Sequence, residues 1–83
     1  MVKGLLGYDN ISGNYVIYGN FGGDVSLKNG DYVEFHLGDG AASAWVGTTI
    51  YERDAVNGGC EWLCTARGLS LSNLLGCMVR RED

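Results

Sequence analysis

Glycine interrupts this chain every few residues, and proline does not occur in it at all. Fourteen of its 83 residues are glycine, more than twice the roughly 7% share of an ordinary domain. That composition suits short strands joined by tight turns. It excludes a proline-rich linker and a collagen-like repeat. The length fits one small domain over residues 1–83 with a modest core. With 46% apolar and 19% charged residues, the balance is that of a globular chain and not of a disordered one.

Turn signals fall between short apolar runs. Lys3 to Asp9 leads into Asp9-Asn10-Ile11-Ser12-Gly13, and Tyr15-Val16-Ile17-Tyr18 follows, which reads as a hairpin with a longer loop. Gly19-Asn20-Phe21-Gly22-Gly23 is punctuation. After Val25 and Leu27, Lys28-Asn29-Gly30-Asp31 carries Asn-Gly, a strong short-range turn signal. Tyr32 to Leu37 alternates most cleanly, with Val33, Phe35 and Leu37 on one face and Tyr32, Glu34 and His36 on the other. Ala44 to Arg53 sets Val46, Thr48 and Ile50 opposite Trp45, Gly47, Thr49 and Tyr51. Asn57-Gly58-Gly59 turns the chain into Cys60 to Thr65. Leucines at 71, 74 and 75 fit a helical turn capped by Ser70 or Ser72, and Cys77 to Arg81 is the closing strand. The expected fold is all-β: a small antiparallel SH3-like barrel of five or six strands, with one short helical turn before the last strand. Closure is expected because an open sheet of this length leaves long apolar edges.

Several strings carry a family resemblance. Gly4-x-Leu6-x-Tyr8-Asp9-x-x-Ser12-Gly13-x-Tyr15-x-Ile17 opens the chain, and Leu27-x-x-Gly30-Asp31-x-x-Glu34 follows. Trp45-x-x-Thr48 with Ile50-Tyr51, then Trp62-Leu63, then Leu74-x-Gly76-x-x-Val79-Arg80 complete the series. In that order they resemble a short domain-of-unknown-function family of small β proteins carried by bacteria, their mobile elements and phages. The resemblance implies a small β domain in a mobile-element context. It implies no catalytic residues.

Residues that might carry chemistry read mostly as structural. Cys60, Cys64 and Cys77 with His36 form the residue set of a Cys₃His zinc site, but Cys60-x-x-x-Cys64 is not a metal knuckle. On a strand those two sulfurs lie roughly 13 Å apart, which also forbids a disulfide between them. The expectation is that Cys60, Trp62 and Cys64 share a face, with the thiols as small apolar fillers and no metal bound. His36 is the only histidine, and no nucleophile motif surrounds Ser43 or Cys60, so no enzyme and no cofactor are expected. Asp9, Asp24, Asp31, Asp39 and Asp54 sit in or beside turns, where carboxylates satisfy backbone N–H groups. Gly22-Gly23 and Gly58-Gly59 lack the Lys-Ser/Thr of a phosphate loop. Arg80-Arg81-Glu82-Asp83 reads as a solvated, self-neutralising end.

The net charge of −4 argues against a bulk grip on nucleic acid or on an anionic membrane. An odd number of cysteines, no long apolar run and a Met1–Gly7 stretch too glycine-rich for a signal core point to the cytoplasm of a bacterial host. Two tryptophans, five tyrosines and two phenylalanines exceed what one small barrel hides. The expected binding residues are the outward Tyr32, His36, Trp45 and Tyr51, with Arg53 and Arg67, or Arg80, as local positive charge. The reading is a non-enzymatic binding module of a phage or mobile element. It would interfere with host defence by occluding a host protein or sequestering a small nucleotide signal. A homo-oligomer through the outward face of the 32–37 and 44–53 strands is expected. A nucleic-acid-binding accessory domain is the alternative, by fold analogy.

Overall fold

The first hairpin shows how the turn chemistry works. β1 (Val2–Asp9) and β2 (Asn14–Gly19) pair antiparallel, with Leu6 opposite Ile17 and Tyr8 opposite Tyr15. Between them, Asp9 Oδ1 accepts the Ile11 N–H at 2.9 Å and Oδ2 accepts the Ser12 hydroxyl at 3.0 Å. Both bonds favour the charged carboxylate, so Asp9 is held below its ordinary range, chiefly by the Ile11 N–H. The Asn29-Gly30 turn forms as its sequence demands: Gly30 adopts φ 94°, and Asp31 Oδ2 accepts the Lys28 N–H at 2.8 Å.

The computed structural model describes residues 1–19, 23–56 and 58–82. The expected punctuation at Asn20-Phe21-Gly22, the first residue of the Asn57-Gly58-Gly59 turn and Asp83 lie outside them. The remaining strands are β3 (Val25–Ser26), β4 (Tyr32–Leu37), β5 (Ala44–Asp54), β6 (Cys60–Cys64) and β7 (Met78–Arg81). Short 3₁₀ turns occupy Gly40–Ala42 and Leu71–Leu74, the second just before the last strand.

All pairings are antiparallel, in the order β3-β2-β1-β7-β4-β5-β6. The last strand thus lies between the first hairpin and the β4–β5–β6 meander. The seven strands exceed the five or six expected because Val25–Ser26 forms a two-residue strand of its own, with Ser26 opposite Val16. The sheet curls into a half-barrel around Leu6, Ile17, Leu27, Val33, Phe35, Ile50, Leu71 and Val79, all essentially excluded from solvent. The alternation read from the sequence holds: Val33 and Phe35 are fully buried, while Tyr32 is 59% exposed.

Side chains bridge the ends of the curl. The Trp62 indole N–H donates to the Gly13 carbonyl at 3.2 Å, and the Tyr15 and Trp62 rings meet edge-on with centroids 6.1 Å apart. Thr48 is buried and polar, and its Oγ1 accepts the Ala66 N–H at 3.0 Å. No helix among the described residues is long and apolar enough to cross a membrane.

Three expectations are refined. Cys64 is packed against the core but Cys60 is exposed, because the hairpin end of β6 projects past the curl. Leu71 is buried and Leu74 partly so, whereas Leu75 is exposed, since a 3₁₀ turn places three residues per turn and not 3.6. Arg80 and Arg81 are strand residues with partners elsewhere in the sheet, not a solvated end.

Candidate functional site

The outer face of the sheet is built from the residues that alternate with the core. On β4 these are Tyr32, Glu34 and His36, and on β5 they are Trp45, Gly47, Thr49 and Tyr51. The β4–β5 register sets His36 opposite Trp45, with ring centroids 5.0 Å apart and tilted by 53°. Tyr32 lies opposite Thr49, and its hydroxyl occupies the space a side chain at Gly47 would fill. Three of the expected residues, Tyr32, His36 and Trp45, therefore share one surface.

β7 and β1 bring charge to the same surface. The Arg80 guanidinium stacks over the Trp45 ring at 3.9 Å from its centroid, and Lys3 Nζ stands 5.5 Å from that centroid. Arg80 Nε also donates to Glu34 Oε1 at 3.0 Å. Arg80 is thus held from two sides, by a carboxylate in its plane and by an indole against its face. Farther along, Leu5 lies opposite both Tyr18 and Met78, and all three are exposed. Exposed apolar residues on β2, β1 and β7 thus continue the outer face beyond the aromatic pair on β4 and β5.

Beside Tyr32 the face opens into a broad groove of about 890 Å³ that also takes in Lys28, Asp31, Glu34, Arg80 and Arg81. Arg81 Nη1 donates to Asp31 Oδ2 at 3.0 Å, so both arginines meet carboxylates there. Asp24 and Glu82 also line it, so four carboxylates stand with the three cations Lys28, Arg80 and Arg81.

The other expected residues stand apart. Tyr51 and Arg53 share the outer face with Trp45 but lie at the distal half of β5, opposite Leu63 and Glu61. Arg53 is ion-paired with Glu61. Arg67 is exposed on the turn after β6, outside the paired strands. A second concavity, of about 360 Å³, lies on the other side of the sheet between Tyr8, Tyr15, Trp62, Ser70, Ser72 and Cys60. Burial pushes the Tyr15 phenol above its ordinary value, so it stays neutral there.

The thiols do not converge on His36. Cys77 Sγ donates to the His36 backbone carbonyl at 3.3 Å, and burial pushes the Cys64 and Cys77 thiols up. No group of three or more His, Cys, Asp or Glu side chains among the described residues is placed to hold a metal ion. Lys3, Leu5, Tyr18 and Met78 were not singled out by the sequence. Alternation within β1, β2 and β7 places each of them opposite the core, but only the non-local β1–β7 and β4–β7 pairings join them to the surface that holds Trp45. The arrangement offers a mixed surface with aromatic and apolar contacts, ion-paired arginines and a groove lined by both signs of charge. No protein-family model matches this chain, and neither does any curated protein or solved structure.

Proposed function

We propose that this chain is a non-enzymatic binding module that occludes a basic surface on another protein with the outer face of its sheet. The observation that carries this reading is the outer surface running from the half-buried Trp45 and His36 to the exposed Met78, Leu5 and Tyr18, bordered by the mixed-charge groove beside the exposed Tyr32. Apolar contacts of this kind supply affinity, and the chain's net charge of −4 favours encounter with a basic partner. A nucleotide or nucleic acid is less well served. Arg80, Arg81 and Arg53 are already matched by Glu34, Asp31 and Glu61, so a phosphate would have to displace carboxylates. The mobile-element setting that the sequence resemblance implies makes a host defence protein the target.

The test is capture of a stoichiometric protein from host lysate by the wild-type chain, compared with two variants. Leu5→Asp with Tyr32→Ala removes the outer-face contacts and should abolish capture. Ile11→Asp changes a fully exposed turn residue and should leave capture intact. Capture that survives the first variant overturns the reading. A thermal shift with a cyclic nucleotide panel, lost in the same outer-face variant, would put a small ligand in the protein's place.

A further inference from the structure

β6 ends the sheet, and its register with β5 determines which of its backbone groups are engaged. Ala55 N–H donates to Gly59 O at 2.7 Å, and Thr65 N–H donates to Thr49 O at 2.9 Å. These bonds fix the phase of the ladder. Arg53–Glu61 and Tyr51–Leu63 are its hydrogen-bonded pairs, while Asp54–Cys60, Glu52–Trp62 and Ile50–Cys64 are the intervening ones. The N–H and C=O groups of Cys60, Trp62 and Cys64 therefore point away from β5, along the open edge. No backbone partner for them is present among the described residues.

Sheets commonly guard such an edge with lysine, proline or a bulge. The run Cys60-Glu61-Trp62-Leu63-Cys64 has none of these, and its single charge is ion-paired with Arg53. We propose that this edge is a homodimer contact in which two copies add β6 to β6, antiparallel, about a twofold axis at Trp62. In that register Cys60 of one copy lies opposite Cys64 of the other, Glu61 lies opposite Leu63, and Trp62 lies opposite its own counterpart. Every outward N–H then meets an outward C=O, and no charge faces its like. An unrelated extended peptide would satisfy the same backbone groups. The self-matching order of the side chains is what favours a second copy. The contact is small, so the dimer is concentration-dependent, and it leaves the outer face free for the partner proposed above.

Opposite charge changes at one residue test this directly. Leu63 is half-buried on the outer face, and each copy contributes one to the contact. Leu63→Lys sets an ammonium opposite Glu61 of the second copy and should tighten dimerisation by roughly three- to tenfold in sedimentation velocity. Leu63→Glu sets carboxylate against carboxylate and should weaken it by a similar factor. Cys60→Pro deletes an outward donor while leaving the β5 ladder intact, and should also weaken the dimer. If that variant fails to fold, cross-linking stands in for it. Diamide takes up two electrons and two protons as it joins Cys60 Sγ of one copy to Cys64 Sγ of the other. The expected Cα separation of about 5.5 Å lies within disulfide range. Peptide mass spectrometry should find the 60–64 link between copies and none through Cys77. A monomer up to several hundred micromolar would overturn the proposal. So would a dimer that shifts the same way with both Leu63 changes. A dimer abolished only by Leu5→Asp would place the contact on the outer face and overturn the edge assignment, and partner capture by the wild-type chain then tests the binding reading separately.

Discussion

Gly4 and Gly47 both lack a side chain because something else fills its place, and the two fillers differ in kind. A Cβ at Gly4 would overlap the Tyr18 carbonyl, which is backbone in the β1–β2 ladder and cannot retreat. At Gly47 it would overlap the Tyr32 hydroxyl, the tip of an exposed side chain. Gly4→Ala should therefore cost about 2–3 kcal/mol and lower Tm by more than about 8 °C. Gly47→Ala should cost less than about 1 kcal/mol, because Tyr32 can swing into solvent, yet it should disturb the outer face. Thermal melts with partner capture separate the two; equal loss of stability would show that Tyr32 is fixed in place. The thiols divide in a comparable way. Cys60 is exposed, whereas burial raises the Cys64 and Cys77 thiols above the ordinary 9.0. In native protein iodoacetamide should label Cys60 first and the half-buried Cys64 and Cys77 more slowly, with rapid labelling of all three on unfolding. A raised thiol favours the folded state while it stays protonated. Its contribution is complete below the ordinary 9.0 and is lost as pH rises through the higher folded value, so the urea midpoint should fall as pH rises above 9.0. Replacing Cys64 and Cys77 by Ala should flatten that fall; an unchanged alkaline loss would assign it to other groups.

Among the elements, β5 bears the heaviest demand, since it pairs with β4 on one side and β6 on the other while placing a hydroxyl in the core. Thr48 Oγ1 accepts the Ala66 N–H at 3.0 Å and donates to the Thr49 carbonyl at 3.1 Å. It thereby ties the end of β6 to the middle of β5. Thr48→Val keeps the shape but strands the Ala66 N–H, and should cost about 1–3 kcal/mol. Thr49→Val, whose hydroxyl is not part of that tie, should be near neutral; matching losses would mean that the Thr48 hydroxyl contributes only its volume. The face of Thr48 was legible from alternation, as were those of Val33, Phe35, Tyr32 and Trp45, because a period of two is a local property of a strand. The Asn29-Gly30 turn was legible for the same reason. The position of β7 was not. It enters the sheet between β1 and β4, a pairing between the two ends of the chain, and no local pattern encodes which strands become neighbours. Arg80 over Trp45, its bond to Glu34 and the approach of Lys3 all follow from that pairing. Alternation accordingly put Tyr32, His36 and Trp45 on the outer face and Arg80 was among the arginines offered as local charge, but its seat between Trp45 and Glu34 and the approach of Lys3 were not legible.

At the scale of the whole molecule, the half-barrel is a continuous ladder whose two ends are joined by side chains. The centre of the sheet, β1, β7 and β4, is paired on both sides, whereas among the described residues β6 has backbone bonds to β5 alone. Trp62 fastens that end, with its ring against Tyr15 and its N–H on Gly13 O, and so joins the β5–β6 hairpin to the tip of the first one. The two contributions are separable. Trp62→Phe keeps an aromatic body but loses the donor, and should cost about 0.5–1.5 kcal/mol. Trp62→Ala opens a cavity at the seam and should cost about 3–5 kcal/mol, a large part of the stability of a domain this size. The loss should also be uneven in space. In Trp62→Ala the amides of β6 and of the Asp9–Gly13 turn should exchange with solvent together, while Leu6, Phe35 and Val79 stay protected until global unfolding. Hydrogen exchange read residue by residue decides this, at a protein concentration low enough to keep the chain monomeric. Uniform loss of protection across all seven strands would show that closure at Trp62 and the central ladder form one cooperative unit, with the curl no weaker at its seam than at its centre.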